Sequence, residues 1–255
     1  PQLRSRPMDR VIVPLRAMGA SISGEQGDRF PPLHITGGNL RGIHYQLPVA
    51  SAQVKSCLLL AAIYAQGETV VLEPGPSRDH TERMLRARGI PVQSQGLRHA
   101  LPGPAQNMAA IDVRVPGDFS SAAFLLVAAL LVPGSEVVIE NVGVNPTRTG
   151  LLDILLQMGA DIRQENLRDA GGEPVADLHV RHSTLKGITV AGELVPRTID
   201  EFPILALAAT QADGETHIRD AAELRVKETD RIATTVEALR CLGAHIEPTL
   251  DGFDI

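Results

Sequence analysis

Three stretches of this chain repeat one arrangement: a small or apolar helix, a turn with Gly, a short strand, a polar loop, an amphipathic helix ending in Gly, and another strand. They read SAQVKSCLLLAAIYAQGETVVLEPGPSRDHTERMLRARGIPVQ, FSSAAFLLVAALLVPGSEVVIENVGVNPTRTGLLDILLQMGADIR and EFPILALAATQADGETHIRDAAELRVKETDRIATTVEALRCLGAHIE, with MDRVIVPLRAMGASI as a partial copy at the start. One such unit cannot bury its own apolar face, so the copies must pack on one another and share a core. Short strands alternating with helices then imply an α/β architecture with sheets over buried helices.

The second helix of each copy is amphipathic. Leu151, Ile154, Leu155 and Met158 follow helical spacing, and Ile232, Val236, Leu239 and Leu242 mark a similar stripe. Gly19, Gly89, Gly159 and Gly243 stand where these helices end and a left-handed cap is needed. All of these read as structural. The first helices, such as AFLLVAALL and ILALAAT, are apolar nearly all round, which predicts burial on every side. PPLHITGGNLRGIHYQLP and ADLHVRHSTLKGITVAGE align as strand, turn and strand, with Leu33 equivalent to Leu178. GLRHALPGPAQN reads as irregular, and a domain boundary is expected after it, with residues 1–115 in one domain and 116–255 in a second. Both ends cut through the repeat, so the chain is expected to be part of a longer protein.

With 255 residues, 44% hydrophobic, the chain can form substantial cores, and its net charge of -6 argues against a general nucleic-acid surface. No apolar run reaches the roughly 18 residues of a membrane span and no signal-peptide pattern opens the chain, so a soluble, cytoplasmic protein is expected. Cys57 and Cys241 lie in apolar helical stretches and are expected as buried thiols, not a disulfide. The histidines lack metal-ligand spacing, and neither a dinucleotide nor a Walker loop is present, so no metal or cofactor is expected.

Polar clusters at helix starts are the natural anion sites, because unpaired N–H groups and the helix dipole favour negative charge there. Four qualify: Ser51, Ala52, Gln53 and Lys55; Ser77, Arg78, Asp79 and His80; Asp118, Ser120 and Ser121; and Arg225, Lys227, Glu228, Asp230 and Arg231. Lys227 and Arg231, four apart, are expected on one helical face beside Glu228, able to address one phosphate or carboxylate. Each cluster alone has a plainer reading. Ser51 and Asp200 can be simple caps, residues 225–231 a solvated charged turn, and Arg78 a partner of Asp79 or Glu82.

Taken jointly and in order, RSRPM, SAQVKS, SRDHTERML, PGDFSSAAF, TIDEFPILALAA and VKETDRI resemble the 5-enolpyruvylshikimate-3-phosphate (EPSP) synthase family over essentially the whole chain. The resemblance implies the enolpyruvyl transferase fold: two domains of repeated βαβαββ units around buried helices, joined by a hinge and here incomplete at both termini. It implies transfer of the enolpyruvyl group of phosphoenolpyruvate to the 5-hydroxyl of shikimate 3-phosphate with release of phosphate, in the shikimate pathway, without cofactor or metal and in a monomeric parent. Carried over by motif, Asp200 would orient or accept the 5-hydroxyl proton and Glu228 would exchange a proton with the methylene carbon. Lys227 would stabilise the tetrahedral intermediate, and Arg231 and Arg6 would hold phosphoenolpyruvate. Ser51, Ala52, Gln53, Ser77 and Arg78 would bind shikimate 3-phosphate, with Lys55 a further candidate.

The family's N-terminal Lys-Ser-Arg loop, its Gly-Asn-Ala-Gly-type turn and its C-terminal Arg and Lys ligands have no counterpart here, so the chain alone is expected to be inactive or severely weakened. Ala52 together with SRDH resembles the branch associated with glyphosate tolerance. Two alternatives stand beside this reading. A UDP-N-acetylglucosamine enolpyruvyl transferase shares the fold, but SAQVKS, VKETDR and the lack of an exposed-loop cysteine argue against it. A non-catalytic repeat module would leave the Lys, Arg and acid at helix starts unexplained.

Overall fold

The computed structural model describes residues 2–227 and 229–255, residues 2 and 3 by backbone alone. The chain divides into two compact units, Pro1–Val113 and Arg114–Ile255.

The first unit opens with a 3-10 turn (Gln2–Ser5), α1 (Asp9–Ala17), β1 (Ser21–Gly24), the single turn α2 (Glu25–Asp28) and β2 (Phe30–Thr36). It continues through β3 (His44–Gln46), α3 (Ala52–Ala62), β4 (Gly67–Leu72), α4 (His80–Ala87), β5 (Gln93–Gln95) and β6 (Arg98–Gly103). The second unit runs α5 (Phe119–Leu131), β7 (Glu136–Gly143), α6 (Gly150–Gln157), β8 (Asp161–Ala170), β9 (Glu173–Arg181), β10 (Thr189–Val190), α7 (Leu194–Thr198) and α8 (Phe202–Ala209). It ends with β11 (His217–Ile218), a 3-10 helix (Ala222–Val226), α9 (Arg231–Cys241), β12 (Glu247–Pro248) and β13 (Phe253–Asp254).

The repetition written in the sequence is a repetition of wiring. One sheet has the order β3-β4-β6-β5 and another β10-β11-β13-β12. In each, the first strand crosses through an apolar helix to a parallel partner, and the fourth strand then inserts antiparallel between second and third. The middle copy keeps the order β7-β9-β8, with the first strand reduced to a parallel bridge between Gly117 and Val142. The parallel crossovers demand glycine at matching places. Gly42 and Gly187 each donate an N–H to a neighbouring carbonyl at 2.8 Å, that of Gln66 and of Asp213. A Cβ at either glycine would lie 2.2 Å from a carbonyl oxygen, of Glu68 or of Glu215.

Most positions of the amphipathic stripes enter the cores. In the second unit Leu151, Ile154 and Leu155 of α6 and Ile232, Val236 and Leu239 of α9 join Leu126, Leu130, Phe202 and Leu205 in one cluster. The first unit has two smaller clusters, one around Leu59, Leu85 and Leu101 and one around Met18, Leu58 and Val71. Gly19, Gly89, Gly159 and Gly243 take φ of +99°, +78°, +94° and +88°, the left-handed caps expected of them.

Four expectations are corrected. Helix α8 is largely buried, but α5 packs on β7, β9 and α8 along one side and leaves Phe124 62% and Leu125 57% exposed. An apolar helix is buried only where neighbours exist to cover it. Second, GLRHALPGPAQN is not irregular at its start: it carries β6, flanked by β4 and β5, because its polar His99 is consumed in a buried ionic cluster. Third, the apolar stripe of α9 stops short of its expected length: the helix ends at Cys241, and Leu242, past its last turn, is 79% exposed. Fourth, both cysteines are free thiols, but Cys57 is only partly buried and Cys241, at the end of α9, is exposed. No helix among the described residues is long and apolar enough to cross a membrane.

Candidate active site

In the first unit the expected residues gather at two helix starts. Ser51 is extended and caps α3, its Oγ accepting the Val54 N–H at 3.4 Å, which places Ala52 and Gln53 in the first turn. The loop after β4 carries Ser77 and Arg78 toward the start of α4. The Ser77 hydroxyl is buried near the Glu73 carboxylate, without a hydrogen-bond partner of normal geometry among the described residues. Asp79 and Glu82 are both engaged: Asp79 accepts from Arg83 at 2.9 Å, and Glu82 lies 2.7 Å from Lys55. Arg6 stands half-buried in the bend ahead of α1.

Lys55 turns away from the helix start. It is 1% exposed, and its Nζ lies 2.7 Å from Oε1 of both Glu73 and Glu82. His99 Nε2 lies 3.0 Å from the same Glu73 oxygen. Burial alone would push the Glu73 carboxyl up, but hydrogen bonds from His99 and Lys55, with Ser77 close by, together hold it below the usual carboxylate range. Glu73, Glu82 and His99 also present donor atoms within 4.8 Å of one another, a set able to hold a metal ion. The Lys55 ammonium touches both carboxylates, so a metal would have to displace it.

In the second unit Asp200 lies in the turn between α7 and α8 and does not cap α8; the cap position falls to Glu201, which gives no side-chain cap. Arg231, the first residue of α9, reaches it: Nη1 donates to Asp200 Oδ1 at 3.1 Å and to the Ile199 carbonyl at 3.4 Å. The expected common face of Lys227 and Arg231 is not formed. The Asp230 carboxylate caps α9 by accepting the Ala233 N–H at 3.0 Å, so the helix begins after it, and Lys227 belongs to the extended end of the preceding 3-10 helix, paired with Glu223. That backbone hydrogen bond and the one from Arg225 hold the Asp230 carboxyl low against a smaller upward push from burial. Glu228 lies outside the described residues.

Two groupings were not anticipated from the sequence, although Asp118, Ser120 and Glu201 each stand at a helix start. Glu201, 2% exposed, accepts the Ser120 hydroxyl, and Ser120 in turn accepts from Arg148 Nη2 at 2.5 Å, with Asp118 Oδ1 at 3.4 Å from the same nitrogen. This chain of contacts holds the residue next to Asp200; the sequence marks Glu201 only as part of an acidic helix start. The Glu73–Glu82–His99 set had a fainter signal. Glu82 sits three residues before buried Leu85, on the face where α4 should be apolar.

A family profile described as EPSP synthase (3-phosphoshikimate 1-carboxyvinyltransferase) matches residues 1–255. The chain is 55% identical to a 3-phosphoshikimate 1-carboxyvinyltransferase of Geobacillus kaustophilus over 99% of its own length and 59% of that protein's. It is 56% identical to the one of Desulfitobacterium hafniense, over 99% and 58%. A 2.37 Å structure of EPSP synthase from Acinetobacter baumannii superposes with a TM-score of 0.92 at 52% identity, covering 99% of this chain and 57% of that one. The chain thus spans well under two thirds of the length of the relatives it matches.

Proposed function

Because the chain belongs to the EPSP synthase family, we propose that it carries the main substrate-holding and acid–base residues of a 3-phosphoshikimate 1-carboxyvinyltransferase. The reaction joins two anions, phosphoenolpyruvate and shikimate 3-phosphate, and needs cationic holders, a base for the 5-hydroxyl and an acid for the methylene carbon. In this reading residues 1–115 belong to the domain that holds shikimate 3-phosphate. Ser51, Ala52 and Gln53 present the first turn of α3, and Ser77 and Arg78 receive the phosphate at the approach to α4. Residues 116–255 belong to the domain of the chemistry. Asp200 takes the 5-hydroxyl proton, Glu228 exchanges a proton with the methylene carbon, Lys227 offsets charge on the tetrahedral intermediate, and Arg231 with Arg6 holds phosphoenolpyruvate. No cofactor or metal takes part, and the setting is the cytoplasm of a cell making chorismate, with a monomeric parent enzyme.

The observation that carries this reading is the Asp200–Arg231 contact of 3.1 Å: residues far apart in sequence put a proton acceptor beside a phosphate or carboxylate holder. Calorimetric titration of the purified chain with shikimate 3-phosphate, with UDP-N-acetylglucosamine as control, tests it. Saturable binding of shikimate 3-phosphate alone is expected, and Ser77→Ala should weaken it about tenfold, the loss of one hydrogen bond to a charged oxygen. Equal binding of both compounds would refute a specific shikimate 3-phosphate half-site in this chain. No binding of either would favour the non-catalytic repeat module.

A further inference from the structure

We propose that Lys55 is a positioning residue: through the buried cluster it forms with Glu73, Glu82 and His99, it sets the two chain segments that hold the shikimate 3-phosphate, without touching that substrate. The proposal rests on the reading of Ser51–Gln53 and Ser77–Arg78 as that half-site. Lys55 is one helical turn beyond the Ser51 cap, and its backbone N–H donates to the Ser51 carbonyl at 3.0 Å. Its ammonium reaches in the other direction to Glu73, where β4 ends and the Ser77 loop begins, and to Glu82 in the first turn of α4. One ammonium therefore ties the start of α3 to both ends of the loop bearing Ser77 and Arg78. Next to it, Ser56 Oγ and Thr81 Oγ1 lie 2.6 Å apart, a second link between the same two helices.

The charges make this tie directional. Lys55, Glu73 and Glu82 side chains are each 1% exposed, so solvent does little to screen the two carboxylates from each other. Glu73 Oε2 and both Glu82 carboxylate oxygens are buried with no hydrogen-bond partner of normal geometry among the described residues, so Lys55 meets Glu82 at 2.7 Å as an ion pair. The ammonium is what lets the carboxylates converge, with His99 beside both, 3.0 Å from Glu73 and 3.5 Å from Glu82. An apolar side chain of similar volume could pack there, but it could not hold both carboxyl groups to one point, so without the ammonium the loop ends are no longer tied to the start of α3, even where the repulsion is relieved.

The test uses the 255-residue chain with Lys55→Met, Lys55→Arg, and Lys55→Met combined with Glu82→Gln, the last relieving the repulsion so that a folded protein is available. Three quantities are read: the shikimate 3-phosphate dissociation constant, amide hydrogen exchange over residues 74–81, and the urea midpoint. Positioning predicts that the double variant regains its midpoint while exchange over 74–81 stays at least tenfold faster and affinity at least tenfold weaker than wild type. It also predicts that Lys55→Arg restores part of both. Affinity and exchange recovering together with the midpoint would overturn the proposal, since a merely stabilising lysine would behave that way. If the wild-type chain binds no shikimate 3-phosphate, the half-site reading fails by itself, and exchange over 74–81 still decides: faster supports positioning, unchanged refutes it.

Discussion

Alanine at Gly187 is the sharpest perturbation the fold offers, because its consequence is set by one distance. The added Cβ would stand 2.2 Å from the Glu215 carbonyl oxygen, where ordinary contact begins at 3.4 Å, so one of the two parallel segments must withdraw. Over-packing of this kind costs roughly 1–3 kcal/mol. Withdrawal also strains the 2.8 Å bond from the Gly187 N–H to the Asp213 carbonyl, a further loss of about 1 kcal/mol. Alanine offsets roughly 0.4–1 kcal/mol of this by restricting the unfolded chain. A net destabilisation of about 2 kcal/mol follows, which with a urea slope near 1.5 kcal/mol/M lowers the midpoint by about 1.3 M. Gly42, 2.2 Å from the Glu68 oxygen on the same build, should respond equally in the first unit. Gly37→Ala is the control, because nothing lies within 4 Å of a Cβ there; it should stay within about 0.5 kcal/mol of wild type. Equilibrium urea unfolding decides. If Gly187→Ala melts with Gly37→Ala, the matched close approaches do not constrain the two copies and the shared wiring has another cause.

Further outcomes follow from single sites. Leu126→Ala on α5, where the side chain is fully buried, should cost about 2–5 kcal/mol, whereas Leu125→Ala beside it, 57% exposed, should cost under about 0.5 kcal/mol. Equal losses in thermal unfolding would mean that the exposed face of α5 is covered in solution. Asp177 accepts the Asn141 backbone N–H, the Asn166 amide and Arg168, which together hold its carboxyl down to about 2 against a smaller contribution from burial. Its folded value lies below the unfolded one of about 3.9, so its stabilisation is present above that value and fades as pH falls toward 2. Urea midpoints measured from pH 5 to 2 should fall more steeply for wild type than for Asp177→Asn, and parallel curves would count against the assigned role.

Much of the site's scaffold was legible locally. Ser51 and Asp118 cap their helices as side-chain chemistry requires, and the clusters at residues 77–80 and 118–121 do stand at helix starts. The misreadings share one cause. Lys227 and Arg231 have helical spacing, but the Asp230 cap, three residues before the N–H it satisfies, starts the helix between them. Asp200 has the composition of a cap, yet its carboxylate turns to Arg231 on another helix. Lys55 sits in a polar helix start and still points inward, because Glu73 and Glu82 wait there.

The repeat, the succession of helices within it, the glycine caps and most of the apolar stripes were legible in the chain alone, because each depends on residues within one or two turns. Tertiary structure alone decided which strands pair, that β6 is an interior strand, that one face of α5 is left uncovered, and which acid each Lys or Arg meets. Pairings of that kind are set by what chain closure brings near and by the cost of burying an unpaired charge, and neither quantity belongs to any local stretch of sequence.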